Sequence, residues 1–207
     1  RGLGDVYKRQ EEKRSDTNMG KEHQKRVLAA LMAASIAIPT PLLAASPADF
    51  SDFPNNWATN ALSYAVSNGL LSGDNGKILA NDTLKRAEMA AILNRLAGAV
   101  KGASLTGYTD VPATAWYYDD MAKAVQMGTF AGDGGMLRPE EPITRQEFFA
   151  VLARFYCLDQ SNTDVLQQYA DSSQIAPWAK GAVAAMVQAG YIHGNEGKLS
   201  PLCLLYT

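Results

Sequence analysis

Two arginines recur in one setting: Leu84-Lys85-Arg86-Ala87-Glu88 and Ile143-Thr144-Arg145-Gln146-Glu147, each leading into an apolar helical pattern. That setting predicts a guanidinium in the first turn of a helix, where free backbone amides and the helix dipole favour an anion and the planar fork matches a carboxylate. A cation alone is unfavourable at that end of a helix, so its recurrence calls for a reason. The competing reason is a structural ion pair with Glu88, Glu147 or an aspartate of a neighbouring loop. Little else invites chemistry. Cys157 and Cys203 lack C-x-x-C spacing, and His23 and His193 have no partner at metal spacing. Gly73-Asp74-Asn75-Gly76 and Gly132-Asp133-Gly134-Gly135 do not supply the oxygen ligands or the closing Glu of a calcium loop. No nucleophile–His–acid set and no acid pair distinct from the repeated pattern is present. The expectation is a binding module with no catalytic residue, no metal and no cofactor.

The elements that carry these arginines repeat. Copy one runs Phe50-x-Asp52, Trp57, Gly69-x-x-x-Gly73, Arg86, Glu88; copy two runs Tyr108-x-Asp110, Trp116, Gly128-x-x-x-Gly132, Arg145, Glu147. Copy three runs Tyr169-x-Asp171, Trp178, Gly190-x-x-x-Gly194 and Lys198 to Pro201. Trp to the first Gly is 12 residues and Gly to Gly is 4 in all three copies, which marks a tandem array. Leu62, Ala65 and Val66 match Met121, Ala124 and Val125, and Val183, Met186 and Val187, an i, i+3, i+4 stripe on a first helix. Met89, Ile92, Leu93 and Leu96 match Phe148, Val151, Leu152 and Phe155 on a second. Gly69, Gly128 and Gly190 stand where a helix end takes a left-handed residue. Thr144 with Glu147 reads as a capping box, whereas Lys85 at the same place predicts a cap displaced to Thr83 or Asp82. The fold class is all-α, in tandem helix–loop–helix units of roughly 60 residues that cannot bury their stripes singly. Copy three stops before a second helix, so the stripe of Val183, Met186 and Val187 is expected to lack its partner.

The chain has 207 residues, 47% apolar, enough for a packed core. Residues 46–202 carry 11 Lys+Arg against 16 Asp+Glu, a net charge of −5, which argues against nucleic acid as a partner. Lys21, Lys25 and Arg26, an apolar run from Val27 and the small residues Ala44-Ala45-Ser46 read as a signal peptide at 19–45. Pro39 and Pro41 interrupt the run, so no membrane span is expected in the mature chain. Residues 1–18 read as upstream or adapter-derived and 203–207 as an artefact of the same kind. The repeats are placed at 46–102, 103–162 and 163–202, the third truncated.

With these spacings the chain resembles the S-layer homology domain family, over residues 50 to about 201. Lys85 departs from the usual Thr or Ser of the family's T-R-x-E pattern. The resemblance implies a pseudo-threefold trefoil of helices whose grooves bind secondary cell-wall polysaccharide, often through a pyruvate ketal, in a secreted protein of the cell wall or S-layer. Contact candidates are then Arg86, Arg145, Lys85, Thr144, Gly73 and Gly132. Trp57, Trp116 and Trp178 offer faces for sugar stacking, but each equally fits as the first buried residue of its helix with one edge on a groove, and burial is the expectation. Asp52, Asp110 and Asp171 are candidates to accept sugar hydroxyls, yet capping of nearby loop or first-turn amides is expected. Alternative settings are the anchor of an exported wall- or polysaccharide-degrading enzyme, or a periplasmic tether of an outer-membrane protein.

Overall fold

The computed structural model describes residues 45–206. The expected upstream segment and all but the last residue of the expected signal peptide lie outside the described residues. Those described form α-helices α1 (Thr59–Ser67), α2 (Arg86–Ala97), α3 (Tyr118–Gln126), α4 (Arg145–Phe155) and α5 (Lys180–Gln188), with short 3₁₀ segments at Pro47–Asp49, Asp164–Gln168 and Ser172–Gln174. Strand pairing among them is confined to isolated bridges, so the all-α class holds. No described helix is long and apolar enough to cross a membrane.

Each first helix ends as its sequence dictates, with Gly69, Gly128 and Gly190 at φ of 68°, 71° and 76°. A two-residue hairpin comes next in every copy. Asp74 and Lys77, Asp133 and Met136, and Asn195 and Lys198 exchange backbone hydrogen bonds around central residues of positive φ. The second glycine of each G-x-x-x-G fits a tight space. A Cβ on Gly132 would lie 2.6 Å from the Met136 carbonyl and 2.9 Å from the Tyr108 ring, and Gly194 meets Lys198 and Tyr169 in the same way. Gly73 and Gly132 therefore let the aromatic of the x-x-Asp motif close over the hairpin.

The aspartates hold the loop beyond each hairpin. Asp52 accepts from the amides of Ile78 (2.7 Å) and Leu79 (3.0 Å), Asp110 from Leu137 (3.0 Å) and Arg138 (2.6 Å), and Asp171 from Leu199 (3.0 Å) and Ser200 (2.7 Å). The second amide of each pair belongs to a residue in the left-handed region, Leu79, Arg138 or Ser200. The expected local capping is thus corrected. These carboxylates clamp a strained loop on the far side of the first helix rather than the amides beside them.

Among the described residues the most extensive helix pairings run between copies. α2 packs on α3 and α4 on α5, each second helix against the first helix of the next repeat. Met89, Leu93, Met121 and Phe130 fill one core, and Phe149, Ala153, Val183, Met186 and Leu199 fill the next. The stripe expected to be orphaned, Val183 and Met186 on α5, is buried against α4. Among the described residues it is α1 that lacks a helix of comparable contact, resting on the Pro47–Asp49 turn over Phe50, Val66 and Ile78. Repeat-internal periodicity carries no information on this offset.

The loops before the second helices meet in a closed ring. Ile143 N donates to Leu84 O (2.9 Å), Leu205 N to Ile143 O (3.1 Å) and Leu84 N to Leu205 O (2.8 Å). Residues 203–206, read from sequence as artefactual, thus occupy the place that residues 82–85 and 141–144 hold in the other copies.

Candidate functional site

The second helices start against the loop of the next repeat, and this fixes what their first turns can bind. Arg86 N donates to Glu141 O (3.0 Å) and Ala87 N to Pro139 O (2.9 Å); Arg145 N donates to Cys203 O and Gln146 N to Pro201 O, both at 2.9 Å. The amides expected to be open to an anion are taken by backbone carbonyls. That part of the expectation is corrected.

The cap of α2 departs from expectation, whereas the capping box expected of Thr144 and Glu147 is present at α4. Lys85 remains at the N-cap with extended backbone, so the cap is not displaced to Thr83 or Asp82. An ammonium cannot accept an amide; instead Lys85 N donates to Glu88 Oε2 (2.8 Å) and Lys85 Nζ reaches Glu140 (2.7 Å), which raises the lysine's pKa. At α4, Glu147 Oε2 accepts from both Thr144 N (2.9 Å) and Thr144 Oγ1 (2.6 Å), so the hydroxyl serves the carboxylate.

Both guanidinium groups then cross into the next repeat. Arg86 Nε donates to Leu137 O (2.9 Å), its NH1 pairs with Glu147 Oε1 (3.0 Å), and its plane lies 5.4 Å from the Phe130 ring centre. Its side chain is 13% exposed, and burial lowers its pKa against the opposing pull of Glu147. Arg145 Nε donates to Leu199 O (2.9 Å) and its plane lies 5.2 Å from Phe149, one turn along its own helix. Its terminal nitrogens have no carboxylate partner among the described residues. One arginine is a closed structural link, and the other is oriented by the same backbone bond while its two terminal nitrogens have no hydrogen-bond partner among the described residues.

The tryptophans overturn the expectation of burial. Trp57, Trp116 and Trp178 are 93%, 61% and 56% exposed. In copies two and three the inward position belongs to the next residue, Tyr117 or Ala179, so the buried register is displaced by one. Trp116 stacks edge-on against Tyr117 at 5.4 Å. No group of His, Cys, Asp and Glu able to hold a metal occurs among the described residues.

A family model described as "S-layer homology domain" matches residues 49–90, 107–149 and 168–201, more than half the chain. The "Surface-layer 125 kDa protein" of Lysinibacillus sphaericus is 32% identical over 183 residues, 86% of this chain and 15% of that protein. The "Amylopullulanase" of Thermoanaerobacterium thermosulfurigenes is 30% identical over 155 residues, 72% of this chain and 8% of the enzyme. The "Exoglucanase XynX" of Acetivibrio thermocellus is 28% identical over 154 residues, 72% of this chain and 14% of the enzyme. The chain therefore spans a small fraction of each relative. What a surface-layer protein and two differently named enzymes have in common with it is the repeat array.

Proposed function

The chain belongs to the S-layer homology family, a cell-envelope module, and on that premise we propose that it anchors an exported protein non-covalently to the bacterial cell wall by binding an acidic secondary cell-wall polysaccharide. The observation that carries this reading is the recurrence of an exposed tryptophan at one position of every copy, which core packing does not require. A large flat ring with one donor nitrogen suits the C–H face of a sugar. Arg145 supplies the cation that recognises the acidic group of the polymer. Its Nε bond and Phe149 fix the guanidinium, leaving two donors for a carboxylate or ketal acid. Asp52, Asp110, Asp171, Gly73, Gly132, Lys85, Thr144 and Arg86 hold the frame on which these contacts stand. The ring joining Leu84, Ile143 and Leu205 supports a pseudo-threefold trefoil arrangement.

The module is not catalytic in this reading, and the similarity to two enzymes favours an exported hydrolase as cargo equally with a surface-layer protein. Sedimentation of the full chain with purified walls tests the function. Retention on walls that carry their secondary polymer, and release when the polymer is stripped with hydrofluoric acid, is expected. Equal retention on stripped walls would refute it.

A further inference from the structure

Across the junction of copies two and three, outside the recurring motif, two tyrosines meet face to face. Tyr156 caps the end of α4 and Tyr191 directly follows Gly190 after α5. Their rings are 5.0 Å apart at 11°, and Phe155 supports Tyr156 edge-on at 5.2 Å and 83°. Tyr191 is 54% exposed, so its outer face is open, while Tyr156 is half-buried and its pKa is raised by that burial and by Tyr191. Neither phenol hydroxyl has a hydrogen-bond partner among the described residues. At the equivalent junction of copies one and two the two positions are Ala97 and Thr129. The repeat architecture therefore closes without aromatics there, and the fold alone does not account for the pair.

We propose that Tyr156 and Tyr191 form a platform for a neutral pyranose ring of the wall polymer, separate from the acidic contact at Arg145; this rests on the reading of the chain as a wall-polymer binder. The ring pair is pre-assembled from two elements, so little rotamer freedom remains to be lost on binding. Its outer face matches the apolar face of a pyranose, and the two free hydroxyls at its rim serve as donors or acceptors for sugar hydroxyls. The cluster contains no ionic group, which suits an uncharged residue of a polymer whose acidic substituents are bound elsewhere.

The test uses the full chain on purified walls, native and after mild acid removal of acidic substituents that leaves the polymer in place. Wild type should bind acid-treated walls weakly but measurably. Tyr191→Thr, the residue accepted at this position in copy two, should reduce that residual binding about fivefold, with Tyr191→Phe close to wild type. The increment gained on native walls, which reports Arg145, should be unchanged by Tyr191→Thr. Tyr156→Ala, matching copy one, checks the result from the other ring, and unfolding midpoints establish that the variants fold. Equal residual binding by wild type and Tyr191→Thr overturns the platform alone, as does no binding of wild type to acid-treated walls while native walls bind. No binding to native walls overturns the wall-anchor reading with it.

Discussion

The junction between copies one and two and the junction between copies two and three share a backbone and differ in side chains. In both, the first two amides of a second helix donate to the loop of the next repeat, and an arginine Nε takes the carbonyl that the aspartate clamp presents. Beyond that they part. The first junction closes Arg86 with Glu147 and faces Asn94 with Asp120. In the second, among the described residues, Arg145 keeps its terminal donors and the Asn94 and Asp120 positions are Ala153 and Ala182, both buried. The backbone frame is thus common to both junctions, and under the proposed function the open end of Arg145 and the exposed aromatics are the parts that serve recognition.

The comparison predicts its largest stability effect at Arg86. Arg86→Ala strands a partly buried Glu147 and the Leu137 carbonyl, and should cost about 3 kcal/mol in urea unfolding. An effect below about 1 kcal/mol would mean the first junction is not held by this link. Next is the clamp of copy three. Asp171 is buried and satisfies two amides, so Asp171→Ala should cost about 2 kcal/mol, and the same change at exposed Asp52 should cost less. Reversed order would break the equivalence of the clamps.

A smaller effect belongs to Asn94. Its Nδ2 serves Asp120, but its buried Oδ1 has no partner. Converting Asn94 and Asp120 together to alanine, as the second junction has them, should leave stability within about 1 kcal/mol of wild type, with the single changes non-additive. Strict additivity would show that the pair does not act as a unit.

The smallest effect is a pH dependence. The Ile78 amide, helped by Leu79 and Lys77 and opposed by desolvation, holds the Asp52 carboxyl below its ordinary 3.8. Its folded pKa is below the unfolded one, so its contribution is present above the unfolded value and disappears as pH falls through the folded value. Wild type should therefore lose its advantage over Asp52→Asn on acidification below the ordinary carboxylate range. A constant gap in unfolding midpoint would contradict the clamp.

The helices and their glycine ends were legible because periodicity and φ preference act within a few residues. Gly69, Gly128 and Gly190 adopt the positive φ that their positions demand. The function of Asp52, Asp110 and Asp171 was not, since the amides they bind lie on the far side of the first helix and reach them only through the hairpin. Nor was the helix pairing. The stripe on α5 implies burial, but whether its partner comes from its own repeat or the previous one is decided by the loops that meet at Leu84, Ile143 and Leu205. The tryptophans were misplaced because hydrophobicity alone favours burial, and a rotation by one residue puts Tyr117 and Ala179 inside in their stead. The pairing of Tyr156 with Tyr191 was not legible, because the motif repeats without them.

The most direct test sets Arg145→Lys against Arg86→Lys in binding to walls that carry their acidic polymer. Lysine retains the charge but loses the planar fork. Arg145→Lys should weaken binding about tenfold, about 1.4 kcal/mol, with little change in unfolding midpoint. Arg86→Lys should lower the midpoint and leave the affinity of the folded protein unchanged. Undiminished binding by Arg145→Lys, or equal loss in both variants, would contradict recognition of the acidic polymer through the open arginine.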